Sequence, residues 1–559
     1  MNSKIIEKYN EWISSEKLNS EEKMELISIK NNETELNERF LNDLEFGTAG
    51  LRGVMAIGTN RMNKYVICHA TQGLADFLFS KEKEPSVAIA YDSRLNSEVF
   101  AKEAACVLSA NNIRVHIYKT LMPVPALSYA VRELHCSAGI VITASHNPKQ
   151  YNGYKVYGPD GCQMTTDNAN AVYNAILKRK MFDYKYIEFK GNTHISFISD
   201  ELIEKYYQSV LRQSIKNEKV SPRILKITYT PLHGAGFIPV TTILKRDGFK
   251  NVDIVEEQKL PDGNFTTCPY PNPEIKEAME LGMKLMVKNN NDILVATDPD
   301  SDRAGVAVNQ HGETIILSGN EIGILLFDFI YHARKEEGSL PKNPVLVKSI
   351  VSSDLINIMG KSFGVEVRNV LTGFKFIGEQ ILFLEKEHQE NRFIFGFEES
   401  YGYLTNTDVR DKDAVNAVLL ICEMANYYKH QNLTLLDRLN QLYNEFGEYQ
   451  TKTLAFEFPG IEGKTKMMEI MKSLRDENAF SIFEHTLEID DFKLNICKTR
   501  DKVTTLNMPS SDVVKFILKD NETIIFRPSG TEPKLKAYIF AKKTNILRLE
   551  NQLNNKIKA

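Results

Sequence analysis

The sequence predicts an α/β fold in four domains: three related α/β units with mixed, mostly parallel sheets, then a smaller C-terminal α+β domain. Three observations point there. At 559 residues the chain is too long for one hydrophobic core. Short apolar runs alternate with helical segments, the rhythm of parallel strands covered by helices. That rhythm restarts twice, and the texture becomes strand-rich after about Glu448. The expected boundaries give domains 1–205, 206–315, 316–445 and 446–559.

In chain order, the first 45 or so residues read as polar helices. Ile5, Ile6, Tyr9, Trp12 and Ile13 have amphipathic spacing, and Ser20 is expected to cap a second helix. The first α/β unit follows, with strands Ser86–Tyr91, Arg114–Tyr118 and Gly139–Thr143 and a helix over Glu98–Asn111. The second has strands Ile224–Tyr229, Val252–Val255 and Asp292–Ala296. The third has strands Pro344–Lys348, Val365–Arg368 and Arg392–Phe395, closed by a helix over Asp413–Tyr428. Strands Thr523–Phe526 and Lys536–Ala541 flank a turn in the last domain.

Composition narrows the function classes. A net charge of −4 from 69 basic and 73 acidic side chains gives no sign of a nucleic-acid partner. Seven scattered cysteines without a CxxC pair read as reduced thiols in a cytoplasmic protein. No run of about 18 apolar residues suggests a membrane span. A monomer is expected, with a dimer left open.

Four loops carry chemistry, three of them just past strands of the α/β units, where open α/β sheets bind ligands. Thr143-Ala144-Ser145-His146-Asn147-Pro148 offers Ser145 as a nucleophile; its plain alternative is a turn serine beside Asn-Pro. No GxSxG elbow surrounds it, against an α/β-hydrolase. Asp298-Pro299-Asp300-Ser301-Asp302-Arg303 can turn Asp298, Asp300 and Asp302 toward one hard cation such as Mg²⁺. Arg303 and Asn309 stand where an EF-hand needs Gly and Glu, so that reading fails. Arg303 is suited to a phosphate oxygen. Gly396-Phe397-Glu398-Glu399-Ser400-Tyr401-Gly402 offers Glu398 and Ser400, two apart on an expected extended loop, as a grip on sugar hydroxyls. Arg527-Pro528-Ser529-Gly530-Thr531-Glu532-Pro533-Lys534 forms a phosphate cradle without Walker spacing. Serine nucleophile and cation cage together suggest metal-assisted phosphoryl transfer. Thr230-Pro231-Leu232-His233-Gly234 reads as structural.

Taken together, TASHNP at 143–148, DPDSDR at 298–303, GFEESYG at 396–402 and RPSGTEPK at 527–534 resemble the α-D-phosphohexomutase superfamily over nearly the whole chain. GTAGLRG at 47–53 and RDKD at 410–413 add to the likeness. The resemblance implies four domains around one central cleft. It implies that Ser145 carries a phosphoryl group and that Asp298, Asp300 and Asp302 bind Mg²⁺ with a phosphoserine oxygen. Arg527, Ser529, Gly530 and Thr531 would hold the distal phosphate, while Arg52, Thr372, Arg303 and Lys412 line the substrate site. Lys155 is the implied general acid/base. The implied substrates are small sugar phosphates, passing through a bisphosphate such as glucose 1,6-bisphosphate, which also serves as activator.

Many phosphomannomutase-like members read GExSGH where this chain has Glu398-Glu399-Ser400-Tyr401-Gly402-Tyr403. The form here resembles glucose mutases and a branch with phosphopentomutase activity; interconversion of glucose 1-phosphate and glucose 6-phosphate is expected, with phosphomannomutase or phosphopentomutase activity on the same scaffold as the alternative. The rival readings are a metal-dependent phosphatase that uses Ser145 and a silent sugar-phosphate-binding relative.

Overall fold

A computed structural model describes residues 2–47, 50–215, 222–458, 460–476, 478–529 and 534–558. Three helices open the chain, Ser3–Ser14, Ser20–Ile29 and Glu33–Phe40, and bury Ile5, Trp12, Leu26 and Phe40 against the first α/β unit. The cap of the second helix is Asn19, not Ser20. The Asn19 side chain accepts the Glu22 N–H, and the Glu22 carboxylate accepts the Asn19 N–H, a reciprocal pair that a serine one residue later cannot form.

Each of the next three domains is built on one sheet, and the three share a plan. The first runs in the order Gly50–Val54, Tyr151–Tyr157, Ala138–Ile142, Ser86–Tyr91, Arg114–Ile117, Ile195–Phe197; its last four strands are parallel and its first two antiparallel. The second runs Glu313–Leu317, Ala304–Gln310, Ile293–Thr297, Ile227–Thr230, Val252–Ile254, again with the antiparallel strands at one edge. The third runs Glu366–Val370, Val345–Ser349, Phe393–Glu398, Gly402–Leu404, where only the last is antiparallel. Central strands such as Ser86–Tyr91 and Ile293–Thr297 are buried along their whole length, which is why they read as unbroken apolar runs. The expected strand Ile224–Tyr229 begins later, at Ile227. The amides of Ile224 and Leu225 donate instead to Oδ1 of Asn426.

The fourth sheet is antiparallel throughout, in the order Tyr449–Glu457, Lys534–Lys542, Thr523–Pro528, Val514–Leu518, Thr486–Asp491, Ile496–Thr499, Val503–Thr505. Helices Gly460–Ser473 and Ile546–Lys558 complete this α+β unit. The α/β class with a distinct sheet-rich C-terminal domain is therefore as the sequence predicts.

One apolar core runs through the first three domains, from Ala88 and Leu127 through Ile227 and Val306 to Leu346 and Val418. The fourth domain has a core of its own around Leu474, Phe516, Ile524 and Leu549. The two meet where Ile350, Val351 and Leu371 pack on Phe492, Val513, Ile525 and Tyr538. All seven cysteines are free. Among the described residues no helix is long and apolar enough to cross a membrane.

Candidate active site

The three α/β domains present their loops from one topological position. In each, the last parallel strand turns into its antiparallel neighbour, and the turn holds Ser145, Ser301 or Tyr401. All three have left-handed backbone, with φ of 53°, 51° and 65°. That conformation is uncommon outside glycine and is kept where the surroundings over-determine it. Backbone bonds lash the turns together. Asp300 O accepts the Val124 N–H of the first domain, Ser301 O accepts Ala414 N–H of the third, and Tyr401 O accepts Ala304 N–H.

Ser145 is buried, and its hydroxyl donates to Asp298 Oδ2 at 3.1 Å and lies 3.2 Å from His146 Nδ1. Burial, then the charges of Arg303 and Arg52, push the His146 pKa well below the usual imidazole value, so the ring is neutral. The serine loop is held from beneath by Arg94, buried to 3% exposure. Its guanidinium donates to the carbonyls of Ser145, Asn147, Pro148 and Tyr151 and pairs with Asp92. Asp92 Oδ2 also accepts the Thr143 hydroxyl at 2.6 Å, and Thr143 Oγ1 in turn accepts the Ser145 N–H at 2.8 Å.

The three aspartates offer carboxylate oxygens within 4.8 Å of one another, and all three are buried. Asp298 spends Oδ1 on closing its own loop, accepting the amides of Asp302 and Arg303 at 3.1 and 3.0 Å, which leaves Oδ2 toward Ser145. Oδ1 of Asp300 and Oδ1 of Asp302 are buried without a hydrogen-bond partner. Burial and the neighbouring carboxylates push the Asp298 pKa well above the carboxylate range. Burial also raises Asp302, whereas Lys155 holds Asp300 low against the same burial. Two orphaned acceptors within a crowded anionic cluster fit a divalent cation, which takes hard oxygen ligands and relieves that repulsion.

Cations surround the cage. Lys155 Nζ is 3.0 Å from Asp300 Oδ2 and 3.9 Å from Asp302 Oδ2. Lys412 Nζ bridges Asp302 and Asp411 at 3.1 and 2.9 Å; burial opposes its charge, yet those two carboxylates hold its pKa above the usual value. Arg303 turns to Glu274 at 2.8 Å, and Arg52, exposed, donates to Asn147 Oδ1 at 3.1 Å. The structure thus draws Ser145, Lys155, Arg52, Arg303, Lys412 and the three aspartates into one group.

Beside it lies the loop of the third domain. Glu398 ends its strand with Oε1 accepting the Gly373 N–H at 2.6 Å, next to Thr372, whose buried hydroxyl has no hydrogen-bond partner. Burial, then Glu399, pushes the Glu398 pKa up to about 7. The expected extended segment is absent. Residues 399–401 form a turn, so strand alternation stops at Glu398 and does not by itself align Ser400 with it. Ser400 lies at the half-buried crest of that turn. Gly319 underlies it, since a Cβ there would sit 2.0 Å from Glu399 O. Arg527 and Ser529 stand at the exit of the strand Thr523–Pro528 of the fourth domain, where the Ser529 N–H donates to Lys534 O at 2.7 Å. Gly530 and Thr531 lie outside the described residues, as do Thr48 and Ala49 of the first glycine loop.

Sequence reasoning missed Asp92, Arg94 and His146. The signal for the first two was present: they directly follow the strand Ser86–Tyr91. His233, read as structural, bonds Leu260 O at 3.0 Å and Thr267 Oγ1 at 2.8 Å in a loop packed on Pro299.

Residues 43–182, 204–312 and 318–446 match phosphoglucomutase/phosphomannomutase α/β/α domains I, II and III. A phosphoglucomutase of Staphylococcus aureus strain MSSA476 is 37% identical over 534 residues, 93% of each chain. The chain belongs to the phosphoglucomutase/phosphomannomutase family. It is a phosphohexomutase, an enzyme of the isomerase class. The phosphoglucomutase of strain MRSA252 is 38% identical over 522 residues, 91% of each chain. Among solved structures, pp63/parafusin (phosphoglucomutase) from Paramecium in its open form superposes with a TM-score of 0.68 at 18% identity, covering 93% of this chain and 96% of that one. A family protein from Burkholderia thailandensis gives 0.67 at 17%, covering 92% and 96%. At those identities the two structures speak to the fold alone.

Proposed function

We propose that this phosphohexomutase interconverts α-D-glucose 1-phosphate and glucose 6-phosphate, with Ser145 as the phosphoryl carrier and glucose 1,6-bisphosphate as intermediate and activator. The observation that carries the reading is the Ser145 hydroxyl 3.1 Å from a buried triad of aspartates. Glucose is supported by the Glu398-Glu399-Ser400-Tyr401-Gly402 loop and by the phosphoglucomutase relatives.

Asp298, Asp300 and Asp302 would hold Mg²⁺ together with an oxygen of the serine phosphate, and the bound ion offsets charge on the transferring oxygens. The Ser145 Oγ–phosphorus bond breaks as a bond forms to a sugar hydroxyl oxygen. Lys155, whose Nζ lies 3.0 Å from Asp300, relays the hydroxyl proton, and Ser145 Oγ gains a proton as it leaves phosphorus. Arg52, Arg303 and Lys412 face the transferring group and Thr372 the substrate. This fixed field of charge is the largest contribution to rate. Glu398 and Ser400 grip sugar hydroxyls, while Arg527, Ser529, Gly530 and Thr531 hold the distal phosphate. The bisphosphate turns end over end, and the second transfer rebuilds phosphoserine.

Intact-mass measurement of the active enzyme should show one phosphoryl group that is absent from Ser145→Ala, and that variant should lose mutase turnover. Normal turnover in Ser145→Ala refutes the covalent route. Excess EDTA should abolish activity and added Mg²⁺ restore it; activity that survives EDTA removes the cation from the scheme. Assays on glucose, mannose and ribose 1-phosphates side by side decide the sugar. Steady release of inorganic phosphate in place of isomer would make the enzyme a phosphatase.

A further inference from the structure

The two grips on the substrate belong to different domains, and a transfer in both directions needs their separation fixed to within a fraction of an ångström. One buried cluster connects them. Lys348, with no exposed surface, is the last residue but one of a central strand of the third domain, and its Nζ donates to Ser352 O at 3.1 Å and to Asp354 Oδ1 at 2.9 Å. On its inner side the same turn holds the sugar loop. Ser349 and Ser352 hydroxyls contact Glu399 Oε2 at 3.1 and 3.4 Å, and the Glu399 N–H donates to Ser352 Oγ at 3.0 Å. On its outer side Asp354 Oδ2 receives Lys515 Nζ at 3.1 Å and Thr523 Oγ1 at 3.2 Å, both from the fourth domain. Thr523 opens the strand that ends at Arg527 and Pro528.

We infer that Asp354, seated on Lys348, is a positioning residue that sets the distance between the phosphate loop at Arg527 and the sugar loop at Glu398–Ser400. The inference rests on the roles proposed above for those two loops. Its physical basis is rigidity. Burial alone would raise the Asp354 pKa, yet Lys348 and Lys515 hold it below the carboxylate range, so the residue is an anion with each oxygen claimed by a cation. A buried charge that is fully bonded tolerates little displacement, because any shift leaves it unpaired. A second link runs parallel: Asn320 accepts the Ser353 N–H at 2.8 Å and donates to Thr451 Oγ1 of the fourth domain at 3.0 Å. Apolar contact alone, the patch of Ile350, Val351 and Leu371 on Ile525 and Tyr538, is non-directional and would permit sliding.

Asp354→Ala would strand Lys348 as an unpaired buried charge and endanger folding. The test therefore cuts only the arm from the fourth domain, with Lys515→Met combined with Thr523→Val, which leaves the Lys348–Asp354 pair intact. The double variant should keep the wild-type level of phosphorylated Ser145, while KM for glucose 1-phosphate rises roughly tenfold, because the phosphate loop is no longer held at a fixed distance from the sugar loop. The fraction of turnovers that end in free inorganic phosphate should rise with it, and Lys515→Arg should restore KM. An unchanged KM and phosphate partition overturns the inference. So does a fall in thermal stability that accounts for lost activity at unchanged KM. Absence of phosphoserine from the wild-type enzyme would instead refute the proposed chemistry, and the KM comparison would still decide the role of Asp354.

Discussion

Arg527 sits near the exit of its strand, with its guanidinium beside Tyr538. A phosphate held there gains charge-assisted hydrogen bonds worth about 1.5–3 kcal/mol. Arg527→Ala should therefore raise KM by roughly 10- to 150-fold, with a smaller change in kcat, since the contact is made alike in ground and transition states. Steady-state kinetics on glucose 1-phosphate check this, and an unaltered KM takes Arg527 out of the site. Residues of this kind were legible in the sequence because their chemistry is unusual for a turn: three alternating aspartates, or Arg-Pro-Ser-Gly, have few bland explanations. Asp92 and Arg94 were not, since an Asp-Ser-Arg turn is common. What distinguishes them is a long-range fact, the four carbonyls of residues 145–151 converging on one buried guanidinium. Asp354 was hidden for the same reason, its partner Lys515 lying 161 residues away.

At the scale of the element, the helix Ala414–Lys429 illustrates a conflict between capping and burial. Asp413 caps it, accepting the Asn416 N–H at 2.9 Å and the Tyr206 hydroxyl at 3.1 Å, with no exposed surface. The helix dipole favours a charged cap by about 1 kcal/mol, but burial outweighs it and pushes the Asp413 pKa up to about 7. An unfolded aspartate titrates near 4. Between about pH 4 and 7 the folded chain thus keeps a proton that the unfolded chain has released. The stabilisation is full below pH 4 and drains away as pH rises, by up to about 1.4 kcal/mol per unit. Asp413→Asn keeps the cap without the charge, so its stability relative to wild type should be greater at pH 8 than at pH 5. Denaturant unfolding at the two pH values measures this, and an equal gap refutes it. Elements were readable where strands are fully buried. The antiparallel return strands Tyr151–Tyr157 and Ala304–Gln310 were not singled out, because they carry Asn152, Lys155 and Asn309 where a strand pattern wants apolar residues. Lys155 is polar because its strand lines the site, so function overrides the pattern there; Asn309 instead bonds Asn291 O and the Gly312 N–H at the far end of its strand.

The whole molecule divides unequally. The first three domains share one continuous core, and their loops are bonded to one another around the aspartate cage. The fourth domain keeps a core of its own and meets the rest through a small apolar patch, the bonds of Asp354 and Asn320, and Tyr449 and Phe540, which join the larger core. Such an interface couples two bodies less tightly than a shared core does, and water must be kept from a phosphoserine that would otherwise hydrolyse. A substrate gripped by both the sugar loop and Arg527 bridges the two bodies and adds its binding free energy to the interface. Calorimetry of the free enzyme should therefore resolve two transitions, one belonging to residues 446–559. Saturating glucose 6-phosphate should draw them together, because unfolding the last domain then costs the bound ligand as well. Hydrogen exchange in the strands Val514–Leu518 and Thr523–Pro528 should slow in parallel. A single transition without ligand would mean that the small interface already couples the fourth domain to the others as tightly as a shared core does.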